Sequence, residues 1–528
     1  MAMGSLKQDL LALGMELRET HISEVYLAPD TVYKIKKPVQ LGFLDFTTLE
    51  LRKHYCAVEV QLNQRLAEGV YRGVVPIVRD AQGVHQLVPL ERAGGAGGTD
   101  NLDSVEYAVV MRRLQDADAA DARLARGVLS DADLARIAQH LAKFHAAARC
   151  DAQTEQYGQC SAIEANVVEN FEQTRTSAQA FLAAGDLAAI ERWQRGFLAR
   201  EHARFEARLR AGRIRDGHGD LRLEHCYLEA DGAVEIIDCI EFNDRFRYGD
   251  VCADVAFLAM DLAWHERLDL SEAFLSAYAH AADDFDLYGV VDFYQSYRAY
   301  VRGKVSAMLA ADEKADETAR RTAHARARKY FQLAHACTRE PLERPTLYLV
   351  GGLIASGKSS VSRRLAQLVH APVTDADHVR KRLAGTDPNT PWHDAAFSGR
   401  YAPAQTDAVY GELLRRAEVV LKSGRSMILD ASFRSQQQRT AARELAERLD
   451  CSCTFIECVA DPHVCRARLR ERARGPSVSD GRLDIFDAFM RDFEPFNELP
   501  PQQHVRIDTQ RDFADTEARL RTIARVIS

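Results

Sequence analysis

The chain has 528 residues, 46% of them hydrophobic and 28% charged, a composition typical of a soluble globular protein with three or four domain-sized units. It lacks a long apolar run and a basic segment followed by an apolar core at its start, which argues against a transmembrane helix and a secretory signal. The 11 cysteines include no CxxC pair, so we expect a reducing, cytoplasmic location, and the net charge of −8 argues against a general nucleic-acid binder.

The N-terminal region is predicted to be rich in strands. The short apolar runs ISEVYLAPD, TVYKIKKPV and LGFLDF fall between residues 22 and 46 and indicate strands. Helical spacing follows over 47–69, and VVPIVRD, HQLVPLER and SVEYAVVMRRL indicate further strands. We therefore expect a small lobe at about 1–115.

The pattern from 116 to 337 is mainly helical and predicts a second lobe. It is interrupted by two short strands around HGDLRLEHCYL and VEIIDCIEF. The charged, proline-containing stretch 338–345 is predicted to be a linker between a domain at 1–337 and a domain at 346–528. Beyond the linker, strands alternate with helices, which predicts an α/β domain with a parallel sheet.

The strongest motif is LYLVGGLIASGKSSVSRRLA. An apolar strand leads into Gly352, four further residues and Gly357-Lys358-Ser359, and a helical pattern follows, as a P-loop requires. The glycines let backbone N–H groups face a phosphate, Lys358 is expected to reach the β- and γ-phosphates, and Ser359 is expected to bind Mg²⁺. Ser356 and Ser360 complete the predicted nucleotide-binding residues.

Charged residues follow later strands of the same domain. Asp377 and Arg380 come just after a second short strand in VTDADHVRKRL, and Asp430 ends a buried strand in SMILDASF. Asp430 is expected either to bind Mg²⁺ through water or to cap the strand end. An arginine-rich helix, with Arg468 and Arg472 four residues apart on one face, comes next.

With these motifs, the C-terminal part resembles small P-loop kinases labelled AAA-family predicted kinases, which are related to polynucleotide 5′-kinases, chloramphenicol phosphotransferase and gluconate kinases. The resemblance implies that Asp377 orients or deprotonates an acceptor hydroxyl and that Arg380 holds the acceptor. It also implies that Arg468 and Arg472 belong to a lid over ATP. The alternatives are a helix cap for Asp377 and a solvated helix surface for the arginines.

The region 1–337 resembles the aminoglycoside phosphotransferase and choline kinase superfamily, which has a bilobal, protein-kinase-like α+β fold. The matching segments are HGD at 218–220, IIDCIEF with Asp238, GDVCADVAFL with Asp254 and the helix LARIAQHLAKFHAA. The resemblance implies that Asp220 accepts or orients a hydroxyl proton and that Asp238 binds Mg²⁺ between phosphate oxygens.

The first lobe supplies the phosphate-binding lysine that this resemblance requires. Lys34 and Lys36 lie on one face of a predicted strand, and we expect one of them, with a slight preference for Lys34, to pair with the nucleotide phosphates. Glu59 is its expected partner. The alternative is that both lysines lie at an exposed edge.

Two departures from the superfamily pattern affect this site. The segment THIS at 20–23 replaces a glycine-rich loop, and His225 stands where a metal-binding Asn is expected. Imidazole is a poor ligand for Mg²⁺, which prefers oxygen. Three alternatives stay open: one metal ion suffices, His225 binds Mn²⁺ or donates a hydrogen bond, or the site binds nucleotide without efficient transfer.

The sequence therefore predicts a protein with two nucleotide sites that transfers a phosphoryl group from ATP or GTP, with Mg²⁺, to a hydroxyl group. The whole arrangement is similar to bacterial bifunctional aminoglycoside phosphotransferase/ATP-binding proteins. The acceptor is a small molecule or a nucleic-acid end, and no membrane partner is expected. The alternatives are an aminoglycoside-modifying enzyme and a P-loop (polynucleotide 5′-hydroxyl) kinase with a degenerate, regulatory N-terminal domain.

Overall fold

The structure is a computed structural model that describes residues 5–42, 44–93, 103–313, 315–341, 343–386, 392, 397–474, 481–510 and 513–527. Its strands are β1 (Glu16–Glu19), β2 (Ser23–Leu27), β3 (Thr31–Lys36), β4 (Gln40–Leu41), β5 (Leu44–Asp45), β6 (Tyr71–Arg79), β7 (His85–Leu87), β8 (Ser104–Arg112), β9 (Ile214–Asp216), β10 (Cys226–Leu228), β11 (Val234–Ile236), β12 (Tyr248–Asp250), β13 (Thr346–Gly351), β14 (Val373–Asp375), β15 (Met427–Asp430), β16 (Ser452–Val459) and β17 (His504–Asp508).

The α-helices are α1 (Leu6–Ala12), α2 (Leu49–Asn63), α3 (Leu90–Ala93), α4 (Ala120–Ala125), α5 (Asp131–Ala147), α6 (Ala152–Glu155), α7 (Cys160–Thr174), α8 (Ala184–Arg200), α9 (His202–Arg210), α10 (Asp244–Arg247), α11 (Val251–Trp264), α12 (Leu268–Ala281), α13 (Val291–Ala311), α14 (Glu317–Ala336), α15 (Lys358–Val369), α16 (Ala376–Leu383), α17 (Pro403–Lys422), α18 (Gln436–Arg448), α19 (Pro462–Arg472), α20 (Leu483–Arg491) and α21 (Phe513–Ile527). Across the described ranges, no helix is long and apolar enough to cross a bilayer.

The chain forms two compact units whose boundaries do not follow chain order. The first unit contains Met1–Glu266 and Tyr294–Ala334, and the second contains Arg267–Phe293 and His335–Ser528. The sequence places 267–293 in the N-terminal domain, so its membership of the second unit is a feature that sequence reasoning missed. A functional division of the chain at 338–345 stays a prediction.

The small lobe of the first unit is built on a six-stranded antiparallel sheet in the order β1-β2-β3-β8-β6-β7. Successive residues of β8 point to opposite faces of the sheet. Tyr107 and Val109 pack with Cys56 of α2 on one face, whereas Ala108 and Val110 pack with Leu10 of α1 on the other. Both faces are covered, which explains why β8 is an almost continuous apolar run.

The rest of the first unit is mainly helical, with two short antiparallel strand pairs, β10–β11 and β9–β12. The helix α11 is buried over nearly its whole length and forms the centre of this lobe. The segment between β9 and β10 carries HGDLRLEH, and β11 leads directly into Asp238. The bilobal α+β fold predicted for this part of the chain is confirmed.

The second unit contains a five-stranded sheet in the order β14-β15-β13-β16-β17. All four strand pairings are parallel, as predicted. Val361 and Leu365 of α15 and Leu520 of α21 pack against Tyr348 and Ile456 of the sheet in one apolar core. Because the strands are parallel, their carboxyl ends lie at one edge, where ligands bind in open α/β sheets.

The segment 267–293 completes the second unit with α12 and a 3-10 turn at Phe285–Gly289. It packs against α17 and β14. The guanidinium of Arg425 donates to both carboxylate oxygens of Asp292, at 2.8 and 3.0 Å, and to Glu272 at 2.9 Å. Arg416 pairs with Asp283 at 2.9 Å. Partly buried ion pairs therefore link this segment to the sheet domain.

Candidate active sites

The P-loop of the second unit joins β13 to α15 and has backbone geometry that its glycines make possible. Gly352 has φ +137° and Gly357, at the N-cap of α15, has φ +90°. A Cβ on Gly352 would overlap the carbonyl oxygen of Cys458, and one on Gly357 would lie 3.1 Å from the side chain of Thr509. Substituents at these positions would therefore push the loop away from β16 and β17.

The predicted P-loop side chains lie around the loop between β13 and α15 and along the cavity beside it. The ammonium of Lys358 donates to the carbonyls of Gly352 and Leu353, at 3.3 and 3.0 Å, and so curls over the loop. Ser359 and Ser360 line the adjacent cavity of about 500 Å³. The hydroxyl of Ser356 is buried and has no hydrogen-bond partner within the described part of the chain.

Asp430 lies at the carboxyl end of β15, beside the first turn of α15. Its carboxylate is hydrogen-bonded to Ser359. Burial, followed by the nearby carboxylates of Asp375 and Asp377, raises the pKa of Asp430 to about 6, although the ammonium of Lys358 opposes this. A serine hydroxyl beside a carboxylate at the end of a parallel strand is an oxygen donor set that fits Mg²⁺.

Asp377 and Arg380, which are predicted to contact the acceptor, line the same cavity as Lys358. Asp375, not Asp377, caps α16, because its side chain accepts from the backbone N–H of His378 at 2.7 Å. The helix-cap alternative for Asp377 is therefore excluded. Arg380 donates to the carbonyl of Arg400 at 3.0 Å and stacks over the ring of Tyr401.

The two arginines predicted for a lid occupy different places. Arg472 lines the cavity. Arg468 instead donates to the carbonyl of Ala355 in the P-loop at 3.2 Å and to the carbonyl of Thr509 at 2.7 Å. Thr509 in turn donates from its hydroxyl to the carbonyl of Ser356 at 2.7 Å. Arg468 and Thr509 therefore brace the back of the P-loop.

Sequence reasoning missed several residues of this cavity. The hydroxyl of Tyr410 accepts from the backbone N–H of Phe433 at 2.9 Å and lies 3.1 Å from the hydroxyl of Ser432. His280, from the segment 267–293, also lines the cavity. No local motif connects His280 with a P-loop that begins 72 residues later at Gly352, and only the fold reveals the contact.

In the first unit, Lys36 is buried, Lys34 is half-buried, and both lysines pair with Glu59. Lys34 lies 2.8 Å from Glu59 and 2.7 Å from Asp238. Lys36 lies 2.7 Å from Glu59 and also contacts Glu241. The exposed-edge alternative is therefore wrong, and Lys34 is the lysine that reaches the predicted metal ligand.

Asp238 follows β11 in a backbone conformation with φ +65°, which is uncommon for a residue other than glycine and is found at functional sites. Its N–H donates to the hydroxyl of Tyr71 at 3.2 Å. Burial opposes ionisation, but the ammonium of Lys34, 2.7 Å away, holds the pKa of Asp238 well below its ordinary value. The carboxylate is therefore ionised at neutral pH.

His225 lies close to both residues predicted to act in catalysis and metal binding, Asp220 and Asp238. Its Nδ1 is 2.8 Å from the carbonyl oxygen of Asp220, and since a carbonyl accepts, Nδ1 is the protonated nitrogen. Nε2 then accepts from Arg222 at 3.1 Å and lies 3.6 Å from Asp238. The structure thus brings together Asp220, His225 and Asp238, with a lone pair of His225 facing Asp238.

The HGD loop is held by Asp254, which accepts from the backbone N–H groups of His218 and Gly219 at 2.7 and 2.9 Å. Burial would raise the pKa of Asp220, but the guanidiniums of Arg222 and Arg302 hold it well below its ordinary value. Ser23, the hydroxyl residue in the THIS segment, is buried in β2, and its hydroxyl has no hydrogen-bond partner within the described ranges.

Comparisons with known proteins find a family model and solved structures that are similar to parts of this chain. A family model described as "AAA domain" matches residues 347–496, which confirms the resemblance of the C-terminal part. Among solved structures, a choline/ethanolamine kinase family protein from Mesorhizobium loti is 14% identical, covers 62% of this chain and 92% of its own, and has a TM-score of 0.35. A gluconokinase from Sinorhizobium meliloti 1021 is 18% identical, covers 36% of this chain and 95% of its own, and has a TM-score of 0.26.

Curated relatives align with most of the chain. "Uncharacterized protein Rv2004c" of Mycobacterium tuberculosis (strain ATCC 25618 / H37Rv) is 35% identical over 470 residues, which are 89% of this chain and 88% of that protein. "Uncharacterized protein Mb2027c" of Mycobacterium bovis has the same identity and coverage. At this identity and coverage, the chain belongs to the family of these mycobacterial proteins.

Proposed function

We propose that this protein is an ATP- or GTP-dependent phosphotransferase and that its P-loop site transfers the γ-phosphoryl group to a hydroxyl group. One observation carries the proposal. A single cavity of about 500 Å³ is lined by Lys358 and Ser359 on the nucleotide side and by Asp377 and Arg380 on the acceptor side. A phosphoryl donor and a hydroxyl acceptor bound there would meet within one enclosed space.

The residues of the P-loop site have complementary roles in this reaction. The backbone N–H groups after Gly352 and the dipole of α15 hold the β-phosphate, and Lys358 exchanges its two carbonyl partners for phosphate oxygens. Mg²⁺, held by Ser359 and Asp430, would neutralise the phosphate oxygens. Asp377 accepts the proton of the attacking hydroxyl while Arg380 positions the acceptor.

The first unit is proposed to hold a second nucleotide site. Lys34 would contact the phosphates, Asp238 would hold Mg²⁺, and Asp220 would orient the acceptor hydroxyl. The low pKa of Asp220 keeps it ionised at neutral pH, so it can accept a hydrogen bond from that hydroxyl.

A specific observation favours a regulatory role for this second site. Lys34 already forms an ion pair with Asp238, and His225 accepts a hydrogen bond from Arg222 where a metal-binding Asn is expected. A nucleotide with Mg²⁺ must separate both contacts before it can bind productively. We therefore rank nucleotide binding without efficient transfer as the alternative function of the first unit.

The experiment is a comparison of nucleotide consumption by wild type, Lys358→Ala and Asp220→Asn. ATP and GTP are tested with Mg²⁺ and with Mn²⁺ against sugars, nucleosides, aminoglycosides and 5′-hydroxyl RNA and DNA oligomers. Loss of acceptor-stimulated turnover only in Lys358→Ala supports the P-loop site as the catalyst. Loss only in Asp220→Asn assigns catalysis to the first unit, and full activity in both variants and in the double variant refutes the proposal.

A further inference from the structure

A cluster of two histidines and one carboxylate lies at the acceptor side of the P-loop cavity. His280 comes from the end of α12, Asp375 ends β14 and His378 lies in α16. One ring nitrogen of each histidine and one carboxylate oxygen lie within 4.8 Å of one another. All three residues belong to the second unit, and His280 and Asp375 line the cavity.

The distances suit ligands of one ion better than hydrogen bonds. Nε2 of His280 is 3.5 Å from Oδ2 of Asp375, which is long for a hydrogen bond between these groups. Two ligand atoms of a tetrahedral ion with bonds of about 2.0–2.1 Å are about 3.4 Å apart. The spacing of this pair therefore matches two corners of a metal site.

His378 provides a second, independent observation. The residue is 5% exposed, and its Nε2 has no hydrogen-bond partner within the part of the chain that the structure describes. A buried imidazole nitrogen without a partner loses its interaction with water without compensation. Metal coordination by this ring would satisfy it.

The carboxylate is already oriented for such a role. Oδ1 of Asp375 accepts from the backbone N–H of His378 at 2.7 Å, which leaves Oδ2 on the side of His280. The rings of His280 and His378 are 4.2 Å apart between centroids and tilted by 42°. The three side chains thus lie close together in one small volume.

We propose that His280, Asp375 and His378 bind a divalent transition-metal ion of the Zn²⁺ type, separate from the Mg²⁺ at Ser359 and Asp430. Two nitrogen ligands and one oxygen select such ions over Mg²⁺, which prefers oxygen. Three protein ligands leave a coordination position open, as in catalytic zinc sites. Since His280 and Asp375 line the cavity, that position faces the space where an acceptor oxygen would bind.

The test measures metal binding by the full-length protein after removal of metals with a chelator, without nucleotide. Co²⁺ serves as the spectroscopic probe and Zn²⁺ as the competitor, in the presence of excess Mg²⁺. We expect one Co²⁺ per chain, with visible d–d bands of nitrogen and oxygen ligands, and displacement of Co²⁺ by Zn²⁺ but not by Mg²⁺. Absence of any Co²⁺ binding overturns the proposal.

Variants assign the binding to these residues. His280→Ala should weaken Co²⁺ binding by at least about 100-fold, because loss of a ligand should exceed the 10–100-fold effect of losing an outer partner. His280 is 43% exposed, so this substitution should leave the melting temperature of the metal-free protein unchanged. His378→Gln is the second ligand variant.

The chain offers a matched control in a second cluster, formed by Cys160, His202 and Glu206 of the first unit. His202→Ala should leave Co²⁺ binding unchanged. A sulfur-to-metal charge-transfer band that disappears in Cys160→Ser would instead assign the ion to this cluster and overturn the proposal. Unchanged Co²⁺ binding in both His280→Ala and His378→Gln would also overturn the proposal. Neither outcome depends on whether the P-loop site transfers phosphate.

Discussion

The link between the segment 267–293 and the P-loop unit depends strongly on Arg425. Its side chain is 14% exposed and faces two carboxylates, Glu272 and Asp292, that are themselves less than a third exposed. Arg425→Met preserves most of the apolar volume of the side chain but leaves both carboxylates without their cation. Removing one partner of a buried ion pair costs about 3–5 kcal/mol of unfolding free energy.

This cost converts into a measurable change in melting temperature. For a unit of about this size, 1 kcal/mol corresponds to about 2–4 °C, so we expect the transition of the second unit to fall by about 6–20 °C. Because a chain with two units need not unfold in one step, calorimetry must resolve the transitions. Hydrogen exchange of peptides from β15 and β8 then assigns each transition to a unit.

The pH dependence of the variant gives a second check. Burial, opposed by Arg425, already raises the pKa of Glu272 in the wild type. Without the arginine, the native state should take up a proton on this carboxylate pair at a higher pH than the unfolded chain does. The stability deficit of Arg425→Met should therefore grow as the pH rises from about 5 to 8.

An exposed ion pair in the same unit provides the control. Arg448 pairs with Glu418 at 3.1 Å and is 59% exposed, so Arg448→Met should change the unfolding free energy by at most about 1 kcal/mol. If Arg425→Met lowers the transition no more than Arg448→Met does, the segment is not held to the sheet domain by these buried pairs. The same result would refute the reasoning that places 267–293 in the second unit.

Three further predictions concern the two sites. Asp430→Asn should abolish P-loop activity. In chemical denaturation it should nevertheless stabilise the nucleotide- and metal-free protein above pH 6 by about 3 kcal/mol, because a pKa raised from 3.8 to about 6 makes ionisation of this buried carboxyl unfavourable. Equal stability of variant and wild type at pH 8 would contradict this expectation. Gly352→Ala should abolish binding of a fluorescent ATP analogue by the second unit, since its Cβ overlaps the carbonyl of Cys458, whereas Gly411→Ala, with open space around its Cβ, should bind normally. Asp254→Asn should destabilise the first unit by about 1–3 kcal/mol in calorimetry. An amide has one acceptor oxygen, whereas the carboxylate accepts from two backbone N–H groups. An unchanged transition would show that Asp254 does not hold the HGD loop.

Sequence reasoning succeeded where the chemistry is local in the chain. The P-loop is contiguous, so its strand, glycines, Lys358 and following helix could be recognised together. The parallel sheet followed from the alternation of strands and helices. The pairing of Lys34 with Glu59 was also predicted, because a strand and the helix that follows it pack against each other.

Contacts between distant segments could not be predicted in the same way. Arg425 meets Asp292 and Glu272 across 133 and 153 residues of chain, and helical periodicity in 268–281 shows an apolar face without showing which sheet covers it. The sequence left a helix cap open as the alternative role of Asp377. Backbone geometry, which the sequence does not display, gives that role to Asp375.

The two proposed nucleotide sites differ in how their lysines are held in the absence of a ligand. Lys34 forms ion pairs with Glu59 and Asp238, so a phosphate that recruits it must compete with carboxylates in a buried environment. Lys358 donates to neutral backbone carbonyls, which phosphate oxygens replace with a gain in charge complementarity. If both proposed sites bind nucleotide, we therefore expect tighter binding by the second unit, whereas in the first unit Mg²⁺ at Asp238 would have to release Lys34 for the phosphates.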